Sequence, residues 1–191
     1  MHLADSPLTT VLVTVTIVVW VSLELRQSLT RRPGAKKSDS GSFIILRILY
    51  PIGVILAVVL SKHHALRIHS RFLATWLGLA LLWCGVTLRL WSFKTLGEYF
   101  TFTVQTSDDQ TVISSGPYRV LRHPSYAGIL LAIIGVGFLF DNWGSLGALV
   151  FFLTAGLIYR ICVEERALSR DLSGNYQAYA AGRKRLIPFI W

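Results

Sequence analysis

The chain has 191 residues, 53% of them hydrophobic, and a mean hydropathy of +0.54. That is more apolar than an ordinary soluble domain, and the length suits one compact bundle rather than two domains. The net charge of +9 raises the question of nucleic acid. The bases fall in short loops between long apolar stretches, which is the pattern of charge flanking membrane spans and argues against a soluble nucleic-acid binder.

A helix needs about 20 mainly apolar residues to cross the hydrocarbon core of a bilayer. Five segments meet or approach that length: 8–25, 43–60, 72–91, 124–140 and 143–163. The first is rich in Val and Thr, but its length argues for a span over a strand. It lacks a convincing small-residue cleavage site, so it is expected to be retained and not removed as a signal peptide. Pro51 is expected to kink the second. Only Asp141 and Asn142 separate the fourth from the fifth, which predicts a tight antiparallel hairpin. The sequence therefore predicts an all-α integral membrane bundle of five transmembrane helices, read as one domain over 1–191. Residues 164–191 are polar and predict an amphipathic helix through Tyr179, followed by Arg183-Lys184-Arg185-Leu186-Ile187-Pro188.

Five spans put the two termini on opposite sides. Loop 26–42, connection 92–123 and the tail hold thirteen bases, against Lys62, Arg67 and Arg71 on the other side. The excess predicts that the tail is cytoplasmic. Arg89, late in the third span, is read as snorkelling to the interface, with support of a site as the other role open to it. His63, His64 and His69 fall in the opposite loop and are read as solvated, not as a metal site. Cys84 and Cys162 lie inside apolar runs with no metal-ligand spacing, so neither a disulfide nor a structural zinc site is expected.

Two motifs carry chemistry. The first runs from Gly116-Pro117-Tyr118 through Arg122-His123-Pro124-Ser125-Tyr126 to Gly128. Pro124 suits the first turn of a helix, and a helix N-terminus can hold a carboxylate or phosphate. His123, Tyr118 and Tyr126 add polar groups and aromatic faces there. A membrane-entry segment with interfacial Tyr and Arg anchors is the plainer account. The second motif is Arg160-x-x-x-Glu164-Glu165, where Arg160 and Glu164 share a helix face as the fifth span leaves the membrane. A helix-end salt bridge with Glu165 solvated is the plainer account of that one.

The hairpin brings both motifs to one membrane face, so His123, Tyr126, Arg160 and Glu164 are expected around one pocket. An anion site, a carboxylate and aromatic rings together suit a zwitterionic, cationic cofactor, with ring faces tolerating a sulfonium.

These residues resemble the isoprenylcysteine carboxyl methyltransferase family, including its small prokaryotic members. The likeness rests on Gly116-Pro117-Tyr118, Arg122-His123-Pro124-Ser125-Tyr126, Arg160-x-x-x-Glu164-Glu165-x-x-Leu168, Gly174, Tyr176, Tyr179 and Arg185-Leu186-Ile187-Pro188. It covers the chain from about Gly97 onward, paired motifs and not one lone pattern. The resemblance implies an S-adenosylmethionine-dependent methyltransferase of the integral membrane kind, with a cofactor-binding core over about 97–191. By resemblance, Gln105, Gln110, Thr111, Val112, Ile113, Tyr118, His123, Pro124, Ser125, Tyr126 and Glu164 contact the cofactor. Arg160 faces the methyl acceptor as the catalytic residue.

An isoprenylcysteine-like carboxylate is already ionised at neutral pH and needs no general base, so positioning and electrostatics carry the reaction. The lipophilic acceptor is expected to enter from the bilayer and the cofactor from the cytosol. Resemblance extends more weakly to phospholipid methyltransferases and to membrane sterol reductases. A phospholipid amine acceptor makes Arg160 an awkward neighbour. An NADPH-dependent reductase fits the Glu164–Glu165 pair poorly. A non-catalytic lipid-binding scaffold is the remaining alternative.

Overall fold

The structure, a computed structural model, describes residues 7–28, 36–37, 41–97, 105–106 and 112–191. All five apolar segments form helices: α1 (Pro7–Ser28), α2 (Ser42–Leu60), α3 (Arg71–Leu96), α4 (Pro124–Leu139) and α5 (Trp143–Asp171). A short α6 (Ser173–Ala181) follows. Pro7–Arg26, α3 and α5 are long and apolar enough to cross a membrane, while Ile44–Leu60 and Pro124–Leu139 are apolar but shorter. The chain is thus a predominantly helical, multi-pass membrane protein. One two-residue antiparallel pairing joins β1 (Lys36–Lys37) to β2 (Gln105–Thr106).

α5 runs further than its apolar length suggests. The fifth apolar segment ends near residue 163, yet α5 continues to Asp171. Glu, Arg, Ala and Leu after Val163 are good helix formers, so losing hydropathy does not end the helix. At 1.5 Å per residue, Glu164 stands ~32 Å from the start of α5, about where a hydrocarbon core of ~30 Å ends. The amphipathic helix expected through Tyr179 is the end of α5 plus α6.

α3 lies along α4, and α2 along α5. The α3 stripe Ala74, Gly78, Leu82, Gly85 and Arg89 is buried. Small residues face small residues: Gly85 lies against Gly128 and Ala132, and Gly78 against Gly135. Membrane helices associate through such close backbone contact because lipid supplies no hydrophobic drive between them. Leu82, Ile133, Leu149, Leu153 and Leu157 fill the centre. Side chains such as Leu73, Ile55 and Phe151 point outward, as expected of a surface that faces lipid.

The hairpin closes as expected. Asp141 takes a left-handed turn conformation (φ 55°), and the buried Asn142 caps α5 by accepting from Ser145 N–H at 3.0 Å. Asn142 also donates to the His63 carbonyl at 3.1 Å, which pins the histidine loop to this end of the bundle. His63, His64 and His69 are exposed. Cys84 and Cys162 are free thiols, Cys84 exposed and Cys162 half-buried.

Candidate active site

The opposite end gathers the polar groups. Gly116 adopts a left-handed conformation (φ 54°), and a Cβ there would sit 2.8 Å from Thr95 Oγ1. This turn leads into a 3-10 segment (Gly116–Arg119) that buries Pro117 and Tyr118. The chain then enters α4 through His123, which is buried at its N-cap. The Tyr126 and Ala127 N–H groups donate back to the His123 carbonyl at 3.0 and 3.1 Å. The α4 terminus is therefore partly self-satisfied, and its use as an anion site rests on the dipole more than on open amides.

Tyr126 connects the two motifs. Its hydroxyl accepts from Arg160 Nε at 2.8 Å and donates to Glu164 Oε2 at 2.6 Å. Its ring stacks on His123, with centroids 5.5 Å apart and planes 12° apart. The Arg160 guanidinium lies 5.9 Å from the same ring. Arg160 is buried, and its Nη1 donates to Ser42 Oγ at 3.0 Å across from the start of α2. So His123, Tyr126, Arg160 and Glu164 do meet, as the hairpin predicts. Glu164 is only half-buried, which leaves its carboxylate within reach of a ligand.

Ser125 faces elsewhere. Its hydroxyl and carbonyl both accept from Arg89 Nη1, at 2.9 and 3.0 Å. Pro124 is fully buried, and Val112 and Ile113 are half-buried. Gln105 sits in β2, paired with Lys37. Gln110 and Thr111 lie outside the described residues.

Two expectations change. Arg89 does not snorkel: it is buried and bound between helices. Glu165 is not solvated either. It accepts from Arg122 Nη1 at 2.7 Å and Arg185 Nε at 2.7 Å, with His123 Nε2 at 3.3 Å. The tail docks around it. Arg122 N–H donates to Lys184 O at 2.8 Å, His123 N–H to Arg185 O at 2.9 Å, and Arg122 Nε to Arg183 O at 3.0 Å. The Tyr179 hydroxyl adds bonds to the Tyr118 and Leu121 carbonyls at 3.0 and 3.3 Å. Burial pushes the Tyr179 phenol up to about 12, so it stays a donor at physiological pH. The Tyr118 and Tyr176 phenols are likewise raised by burial and by nearby carboxylates, Glu164 for Tyr118 and Glu165 then Glu164 for Tyr176.

Glu165→Gln removes the charge that the tail closes on, leaving Arg122 partly buried and facing an amide. The cost expected is about 2–3 kcal/mol, below that of a fully buried pair because Arg185 is partly exposed. The tail should also loosen. A lowered unfolding temperature in detergent, with faster tryptic cleavage at Arg183 or Lys184, is the expected result; unchanged cleavage refutes the docking role.

Fold and site together define a helical membrane protein with a buried, charged cluster at one end of the bundle. Residues 73–173, a little over half the chain, match the phospholipid methyltransferase family, and the chain belongs to that family. A probable protein-S-isoprenylcysteine O-methyltransferase of rice (Oryza sativa subsp. indica) is 30% identical over 118 residues, covering 61% of this chain and 62% of the relative. The protein-S-isoprenylcysteine O-methyltransferase of Saccharomyces cerevisiae is 35% identical over 120 residues, covering 62% of this chain and 50% of the relative. The chain thus spans between half and about three fifths of the length of these relatives. A solved eukaryotic intramembrane Ras methyltransferase, an isoprenylcysteine carboxyl methyltransferase, superposes with a TM-score of 0.56 at 24% identity, over 79% of this chain and 53% of that one. That likeness supports the fold. The resemblance to isoprenylcysteine carboxyl methyltransferases read from the motifs is borne out.

Proposed function

We propose that the chain is an integral membrane methyltransferase that uses S-adenosylmethionine to methylate the carboxylate of an isoprenylcysteine-like or other lipophilic acceptor. In this reading all five helices cross the bilayer as one domain, with the tail and the cofactor site on the cytoplasmic face. The core over about 97–191 holds the cofactor.

The residues suit such a cofactor. The half-buried Glu164 carboxylate offers a partner for its ammonium, and the stacked His123–Tyr126 pair offers faces for a sulfonium. Tyr176 adds a buried hydroxyl with no hydrogen-bond partner among the described residues, a group that a polar ligand would satisfy. Tyr118 and the 112–113 segment border the same end of the bundle. When bound, S-adenosylmethionine supplies an electrophilic methyl group on a positively charged sulfur.

The observation that favours a carboxylate acceptor is Arg160. Its guanidinium is buried and aligned by Ser42 and Tyr126. A fixed, desolvated guanidinium orients a carboxylate well and disfavours a lipid amine, which must shed a proton to react. Tyr126 holds Arg160 on one side and Glu164 on the other, so the acceptor-facing and cofactor-facing groups are kept adjacent. The acceptor's lipid portion would reach Arg160 from the bilayer, while the apolar centre of the bundle excludes water.

Calorimetric titration of the purified chain with S-adenosylmethionine and with NADPH tests the cofactor. Binding of the first alone is expected, weakened at least tenfold by Glu164→Ala through loss of a charge-assisted contact. Labelled-methyl transfer to prenylcysteine analogues and to phosphatidylethanolamine then tests the acceptor. Transfer to the amine alone would refute the carboxylate assignment, and binding of neither cofactor would favour a lipid-binding scaffold.

A further inference from the structure

Glu24 lies in α1, outside the stretch that matches the family and outside every motif above. Its carboxylate meets Arg89 of α3, whose side chain is 5% exposed. Arg89 Nε pairs with Glu24 Oε1, and Nη2 donates to Oε2 at 2.8 Å. Trp20 Nε1 approaches the same carboxylate at 3.4 Å. The guanidinium rests 4.7 Å from the Phe93 ring centroid. Its Nη1 donates to the Ser125 carbonyl and hydroxyl.

A buried cation within a membrane helix is costly and persists only with partners. The two-pronged pair with Glu24 supplies one. A pair that only anchored α1 would need nothing more. Here the remaining corner of the planar fork grips the residue between Pro124 and Tyr126, in the first turn of α4. Gly128, one turn further along, lets α3 come close enough for this: a Cβ there would stand 2.9 Å from Arg89 N. The rotation of that first turn sets where Tyr126 and His123 point.

We propose that Glu24 and Arg89 are positioning residues of the methyl-transfer site, acting through Ser125 to fix the first turn of α4 and hence the Tyr126–Glu164 contact. This rests on the methyltransferase reading above. It makes α1 part of the site and gives Ser125 an internal partner in place of a ligand.

Arg89→Lys separates positioning from support. An ammonium can still pair with Glu24 but cannot keep the two-pronged carboxylate contact and both Ser125 contacts in one fixed plane, because it lacks the fork. Calorimetry with S-adenosylmethionine and thermal unfolding are measured on the full chain in detergent. For Arg89→Lys the expected result is an unfolding temperature close to the wild type with about tenfold weaker cofactor binding. Glu24→Gln is expected to lower both, and Glu24→Asp to recover part of the affinity. Wild-type affinity in Arg89→Lys, or a Glu24→Gln variant that loses stability alone, overturns the proposal while leaving the methyltransferase reading intact. A wild-type chain that binds no S-adenosylmethionine overturns both.

Discussion

Replacing Arg160 with alanine is expected to lower methyl transfer by about a thousandfold while changing S-adenosylmethionine affinity by no more than about threefold, since removal of one preorganised charged donor from a dry site costs rate on this scale. The physical basis is the division of contacts around Tyr126. Glu164 receives the Tyr126 proton donor directly, so the cofactor-facing carboxylate keeps its partner when Arg160 is gone. The acceptor has no comparable reserve in the proposed site: without the guanidinium, its carboxylate enters a buried region unpaired, and an unpaired buried charge is strongly disfavoured. Arg160→Lys should recover little, because a single ammonium cannot donate to Ser42, Tyr126 and an acceptor in the fixed plane that guanidinium provides. Single-turnover transfer with saturating cofactor measures the rate, and calorimetry measures the affinity. A variant that retains full transfer refutes the acceptor role, and one that loses cofactor binding in proportion to rate reassigns Arg160 to the cofactor side.

The parts of this protein that could be read from sequence are those fixed by local rules. Apolar length marks the five helices. Asp141 and Asn142 mark the hairpin, and the hairpin alone requires that residues 123–126 and 160–164 lie at the same end. The spacing of Arg160 and Glu164 gives a shared face, although Tyr126 standing between their side chains could not be foreseen from it. What sequence did not reveal is pairing between distant elements. Ser42 and Arg160 are 118 positions apart, and Glu24 and Arg89 are 65 apart. Rules for arginines near helix ends suggest snorkelling because they consider one helix at a time, and Glu24 belongs to another. Glu165 was hidden for a related reason. It follows Glu164 directly, but adjacent helical residues point about 100° apart. One therefore turns toward Tyr126 and the other toward the tail. Arg122 in the first motif and Arg185 in the tail are the available signal, since both meet the Glu165 carboxylate.

Gly85→Ala is expected to destabilise the bundle by about 3 kcal/mol or more, beyond the usual range for one added methyl in a core, because nothing at the site can yield cheaply. A Cβ at Gly85 would stand 2.4 Å from Ala132 N, 2.5 Å from the Gly128 carbonyl oxygen and 2.9 Å from Ala132 Cα. All three are backbone atoms, so relief requires moving α4 away from α3. That movement carries a functional cost besides the energetic one. Arg89 lies one turn beyond Gly85 on α3, and Ser125 lies one turn before Ala132's neighbour Gly128 on α4, so separating the helices stretches the Arg89–Ser125 bonds. Gly147→Ala is the matched control, since a Cβ there meets nothing within 4 Å. In a helix the same exchange should be neutral or stabilise by about 0.5–1 kcal/mol through lower backbone entropy. Thermal unfolding of both variants in one detergent gives the comparison. Equal unfolding temperatures would mean that α3 and α4 do not meet through their backbones, and the close packing that aligns the start of α4 with α3 would have to be abandoned.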